Sequence, residues 1–173
     1  MTTVRGAIVI ALTLVIFFAA ACENTDPNPE EREAIETAVR GYLQALAKAY
    51  STLDPNVLDG HASPNEKAAV HKLLKDLLVK TGDRIEAELV GHDVQSMSVF
   101  RGINATVRQI EVWNITRYGA TDGIEKGRTE NSIQNTLLQM RLVEDRWIVV
   151  GRSIMEQETP IPEADPASTE DEG

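Results

Sequence analysis

Apolar residues recur every three or four positions between residues 29 and 81, and mostly every second position from residue 85 onward. The first period predicts a helix over about Pro29–Thr52. Its apolar face carries Ile35, Val39, Tyr42, Leu43, Leu46 and Tyr50, with Arg40 and Lys48 on the other side. Glu30, Glu31 and Glu33 crowd the first turn, where they meet the positive end of the helix dipole, and Asp54-Pro55-Asn56 breaks the pattern. Ser63-Pro64-Asn65-Glu66 opens a second helix: a serine N-cap, a proline whose φ is already helical, and a glutamate placed to close a capping box. Val70, Leu73, Leu74, Leu77 and Leu78 make its stripe, and Gly82 suits the left-handed residue that ends it.

The second period predicts four strands, over about residues 88–100, 105–118, 129–143 and 146–155. Turns fall at 101–104, 119–127 and Glu144-Asp145. In the second strand Ala105 and Val107 keep one phase while Ile110 and Val112 keep the other, a slip that predicts a β-bulge there. With a two-residue turn at Glu144-Asp145, Leu142 faces Trp147, Met140 faces Val149 and Leu138 faces Gly151, an apolar surface for the helices. The reverse surface then carries Leu137, Arg141, Val143, Ile148, Val150, Arg152 and Ile154. Apolar residues mixed with arginine and free of lysine suit an interface core, so Leu137, Arg141, Ile148, Val150 and Arg152 are the candidate interface, for a second copy or an envelope protein. The fold class is α+β, N-terminal helices packed on a curved four-stranded antiparallel sheet.

This plan resembles the nuclear-transport-factor-2-like cone. More narrowly, Asp93-Val94-Gln95-Ser96-Met97, Ala105-Thr106-Val107 with Glu111-Val112-Trp113, and the run from Leu142 to Val149 are similar to the intermembrane-space-type domain of chloroplast-division proteins, over about residues 35–154. The resemblance implies a cone-like sheet closed by helices. Relatives of that shape that act as enzymes hold a base inside an apolar cavity, opposite a hydrogen-bond donor. Tyr42, Trp113 and Trp147 are accordingly the candidate cavity residues. His92, Asp93 and Glu111 are possible bases and Tyr42 or Tyr118 possible donors, but no spacing pairs them, and Glu111, alternating with Trp113, is compatible with a place facing water.

Residues 1–21 read as an export signal: Arg5, an unbroken apolar run from Ala7 to Phe18, then Ala19-Ala20-Ala21 before Cys22. The run is shorter than the roughly 20 residues that span a bilayer. Ala19-Ala20-Ala21-Cys22 resembles the lipobox of bacterial lipoproteins, with alanine where leucine is usual at the first position. The resemblance implies cleavage before Cys22 and acylation of its thiol, hence a membrane anchor. Simple secretion after cleavage and an uncleaved N-terminal anchor are the alternatives. Glu23, where retention in the inner membrane favours aspartate, points to the outer membrane if the source has two.

Charge changes the picture only by its position. The formal net charge is −10, but residues 34–155 hold 15 acidic and 15 basic side chains. The excess lies in 23–33, with five acids against Arg32, and in 156–173, with seven acids and no base. The expected organisation is therefore a signal peptide at 1–21, a lipidated cysteine and tether at 22–33, an α+β domain at 34–155 and an acidic disordered tail at 156–173. No basic stripe with aromatics appears, so nucleic acid is not an expected partner.

Cys22 is the only cysteine, which excludes an intrachain disulfide. The three histidines, His61, His71 and His92, lack ligand spacing, and no phosphate loop or nucleophile elbow is present, so neither metal nor cofactor is expected. The expected function is a lipid-anchored binding or assembly module of the cell envelope without catalysis. A carrier of small hydrophobic ligands and a cavity enzyme of the isomerase or dehydratase kind are the alternatives.

Overall fold

The computed structural model describes residues 24–158. The signal segment, Cys22 and the tail beyond Glu158 lie outside the described residues. Helix α1 covers Pro29–Thr52 and α2 covers Pro64–Thr81, with a 3-10 turn at Pro55–Leu58 between them. Strand β1 is Asn24–Thr25, followed by β2 (Asp83–Phe100), β3 (Asn104–Gly119), β4 (Glu125–Val143) and β5 (Arg146–Glu158). The sheet is antiparallel throughout and runs in chain order β1-β2-β3-β4-β5. Two helices thus pack on four long, curved antiparallel strands.

Both helix starts follow from their caps. Asn28 accepts the Glu31 N–H at 2.9 Å ahead of Pro29, and Ser63 accepts the Glu66 N–H at 3.2 Å ahead of Pro64. The expected capping box is only half made. The Ser63 N–H donates to the Val149 carbonyl instead, and the Glu66 carboxylate accepts the Tyr42 hydroxyl at 2.6 Å, tying α2 to α1. Gly82 closes α2 at φ +67. Helix α1 buries Ile35, Val39, Tyr42, Leu43, Leu46 and Ala49 against Met97, Val99, Val107, Leu138, Met140 and Val149 of the sheet. Helix α2 buries only Val70 and Leu74 of its expected stripe, and Leu73 and Leu78 stay exposed.

The segment expected as a free tether is engaged with the domain, because Asn24 and Thr25 pair with Phe100 and Val99 at the edge of β2, and Pro27 is buried. At the other end β5 continues to Glu158, three residues past the expected domain limit.

Register shifts curve the sheet. They leave one extra residue at Val90 and Gln95 of β2 and at Val150 and Met155 of β5, and two more shifts lie between β3 and β4. Bulges on β2 and β5, the two outer long strands, also make poor templates for further pairing. The slip expected inside β3 is absent. Its buried positions, Ala105, Val107, Gln109, Glu111 and Trp113, keep one phase. The inward phase is carried on by Gln109 and Glu111, polar residues that the hydrophobic pattern does not count.

At the β4–β5 hairpin Val143 pairs with Arg146, so Glu144-Asp145 is a two-residue turn, and Leu142 faces Trp147 as expected. Both turn residues have positive φ, 49° and 60°, a conformation that favours Asn-Gly over Glu-Asp. Asp145→Gly should therefore stabilise the domain by about 0.5–1 kcal/mol, the left-handed strain relieved outweighing the chain entropy added. Thermal unfolding checks this: a higher midpoint is expected, and a lower one contradicts it.

Candidate functional site

Glu111 occupies the middle of β3, on the face the helices cover, and is 0% exposed. Its neighbours are set by strand register. Gln109 and Trp113 lie two residues away on the same strand, and Gln134 and Thr136 come from β4. Oε1 of Glu111 accepts from Gln109 Nε2 at 2.8 Å, Thr136 Oγ1 at 2.6 Å and Arg152 Nε at 3.4 Å. Oε2 accepts from Trp113 Nε1 at 2.8 Å and Arg152 Nη2 at 2.6 Å. The same Nη2 donates to Gln134 Oε1 at 2.8 Å.

Arg152 reaches this place because of the bulge at Val150. Met140 pairs with Val149 but Gln139 pairs with Gly151, so Arg152 comes to stand opposite Leu138 on the inner face. Its side chain is 11% exposed. This corrects its expected position on the outer surface and does the same for Ile154, which pairs with Thr136 and lines an inner cavity. Leu137, Arg141, Ile148 and Val150 remain on or beside the outer face, with Leu137, Ile148 and Val150 half-buried and Arg141 exposed.

Burying two charges costs several kcal/mol per ion unless the geometry is good and the remaining lone pairs are satisfied. Five hydrogen bonds meet that condition for Glu111. Burial pushes its carboxyl pKa up, but the charge and hydrogen bonds of Arg152, with those of Thr136 and Trp113, outweigh burial and hold it below the usual range. Glu111 therefore does not face water and is ionised at neutral pH. A general base needs a lone pair within reach of substrate and a pKa near the working pH, and Glu111 has neither. One acceptor of the cluster is left over: Gln109 Oε1 is buried with no partner. Turning the amide over would set its oxygen against the carboxylate, so the unpaired orientation is the less costly one.

Two small cavities flank Arg152. One, of about 120 Å³, includes Tyr42, Tyr50, Glu66 and Leu73, and the other, of about 140 Å³, includes Tyr50, Leu73, Trp113, Gln134 and Ile154. Burial, then the neighbouring Glu66 charge and hydrogen bond, push the Tyr42 phenol well above its ordinary value, so it stays a neutral donor. Of the expected cavity residues, Tyr42 and Trp113 thus lie in adjacent cavities, while Trp147 lines a separate surface hollow at the other end of β5. Of the possible bases and donors, the sheet register makes cross-strand neighbours of His92 and Glu111 and does not do so for Asp93 or Tyr118. Asp93 is exposed and in register with Ile110, His92 is in register with Glu111, and Tyr118 stacks under Arg84 at 4.5 Å. Among the described residues no three His, Cys, Asp or Glu side chains gather as a metal would need. Gln109, Gln134, Thr136 and Glu66 were not anticipated. The sign available for the first three was a polar residue recurring in the apolar phase of a central strand.

No known family's sequence pattern matches the chain, and no curated protein matches it in sequence. Solved structures do match. The intermembrane-space region of the chloroplast protein ARC6 aligns with a TM-score of 0.58 at 14% identity, covering 74% of this chain and 98% of that one. An uncharacterised protein with a cystatin-like fold from Caulobacter vibrioides aligns at 0.45 with 15% identity, covering 75% and 92%. A protein of unknown function with a cystatin-like fold from Nostoc punctiforme aligns at 0.43 with 14% identity, covering 80% and 98%. At such identities the first likeness is one of fold: helices on a curved antiparallel sheet.

The depressed pKa of Glu111 fixes a sign. Its contribution to stability is complete above the unfolded carboxyl value, about 4.3, and is lost as pH falls through the lower folded value. Glu111→Gln should cost about 3 kcal/mol at pH 7 and flatten the stability profile below pH ~4. Urea midpoints from pH 3 to 7 measure this, and parallel profiles for variant and wild type would contradict it.

Proposed function

We propose that this chain is a binding or assembly module of the cell envelope, held to a membrane through lipid on Cys22 and working without catalysis. The observation that carries this is the saturated Glu111: the carboxylate inside the cone is consumed by five protein donors and locks strands together. Glu66, the other buried glutamate among the described residues, is bound by Tyr42. Support for the location comes from the Ala19-Ala20-Ala21-Cys22 segment, and from the fold shared with a chloroplast protein's intermembrane-space region. Stable attachment takes at least two acyl chains, and in a source with two membranes the periplasmic face of the outer membrane is the expected site. The outer sheet face, with Leu137, Arg141, Ile148 and Val150, is the surface offered to a second copy or an envelope protein.

A second reading, a carrier of small hydrophobic ligands, is favoured by one feature. Leu73 and Ile154, 52% and 47% exposed, stand at the 140 Å³ cavity beside Arg152 and Gln134.

Membrane fractionation followed by cross-linking tests the proposal on the full chain. Wild type should be membrane-bound, carry lipid by mass spectrometry and cross-link to itself or to an envelope protein. Cys22→Ser should leave the membrane or remain unprocessed. Ile148→Glu should stay anchored and folded but lose the cross-link. Wild type free of lipid would refute the anchor, and an unchanged cross-link in Ile148→Glu would refute the outer face.

A further inference from the structure

The hollow beside Trp147 is separate from the cone and larger than either cavity within it. It measures about 600 Å³ and adjoins a second of about 290 Å³, the two sharing Glu30, Ala34, Asp145 and Trp147. Its floor on α1 is Ala34, Ala38 and Gly41, small residues on one stripe, and the His61 ring sits so close to Gly41 that a Cβ there would meet it at 3.0 Å. A main chain can approach such a floor closely.

Two independent features say what would lie there. Trp147 is 7% exposed and lines both hollows, yet its Nε1 donates to no described residue, whereas Nε1 of Trp113 is bound by Glu111. The ring is nearly enclosed, and its N–H is left without a protein acceptor where a ligand carbonyl could take it. Around it, Glu30, Glu33 and Asp145 make no ion pair among the described residues, while Arg146, which also lines the hollow, lies 4.0 Å from Glu144. The hollow therefore offers an unbonded donor and more acidic than basic side chains. A peptide supplies the acceptor as a backbone carbonyl and the charge as basic side chains. From Glu30 to Gly41 the helix rises about 17 Å, the length of roughly five extended residues.

We propose that this double hollow binds an extended, lysine- or arginine-bearing segment of a partner protein. The proposal rests on the assembly reading above but uses a surface distinct from the outer sheet face and from Cys22, so its failure leaves the anchoring and Ile148 tests untouched.

The test uses the full chain, labelled with ¹⁵N at tryptophan and held in a neutral detergent. It has two indole N–H signals, and that of Trp113 serves as an internal control. Pools of N-acetylated, C-amidated pentapeptides with a central lysine are compared with pools carrying a central glutamate. The lysine pool should shift the Trp147 signal saturably and leave Trp113 unmoved. Affinity should fall at least tenfold in Glu33→Gln/Asp145→Asn, and binding should be lost in Ala38→Leu, which fills the floor. If Ala38→Leu fails to fold, the charge variant decides. The proposal is overturned if the lysine pool leaves Trp147 unmoved or if the glutamate pool acts equally. It is also overturned if lysine amide alone acts as strongly, which would mean a site for a small cation. A Trp147 shift on concentrating the protein without peptide would seat a second copy in the hollow and equally refute it.

Discussion

A carboxylate buried in the central strand of a half-covered sheet must be matched by a cation and by enough donors to fill its lone pairs, or the fold does not hold it. Glu111 imposes that requirement on three strands at once. Strand β3 supplies Gln109 and Trp113, β4 supplies Thr136, and β4's Gln134 steadies the cation that β5 delivers. Arg152 can be delivered only if β5 changes phase before it, which the extra residue at Val150 accomplishes. The bulge, the curvature it adds and the cation's position are one arrangement. A strand without the bulge would leave Arg152 in water and Glu111 without its counter-charge.

The same arrangement limits what the interior can do. The helices fill one part of the concave face with apolar side chains, and the ion pair occupies the next, with two small cavities beside Arg152. The concave face surrounds a closed polar cluster. The proposed function accordingly rests on surfaces: the outer face of the sheet and the acidic hollow between α1 and the β4–β5 hairpin. Both are set by the outward and hairpin positions of the same strands whose inward residues make the core.

Much of this was legible in the sequence where strong local chemistry acts. Proline, a polar cap and acidic first-turn residues mark both helix starts, and Glu144-Asp145 is legible as a turn, although only the pairing of Val143 with Arg146 distinguishes two turn residues from three. The interior of β3 was misread for a physical reason. Buried Gln109 and Glu111 look like surface residues until their partners are known, and although Gln109 and Trp113 lie two residues from Glu111 on the same strand, the Thr136 hydroxyl and the Arg152 cation come from more than 20 residues away on β4 and β5. Gly151 was the available warning for β5, since a glycine inside a strand often marks a bulge, and Gly91 stands in the same relation to the extra residue Val90. The half-made capping box has a similar origin, because Glu66 satisfies Tyr42 across the helix interface in preference to its own helix end.

Whether Glu111 and Arg152 act as one unit can be measured directly by a double-mutant cycle in urea unfolding, with Glu111→Leu, Arg152→Met and the two combined. Each single variant leaves a buried charge without its partner and should lose about 3–5 kcal/mol, whereas the double variant removes both charges and should recover much of that. The account predicts a coupling energy above ~2 kcal/mol. Losses that simply add would show that the pair does not organise the sheet.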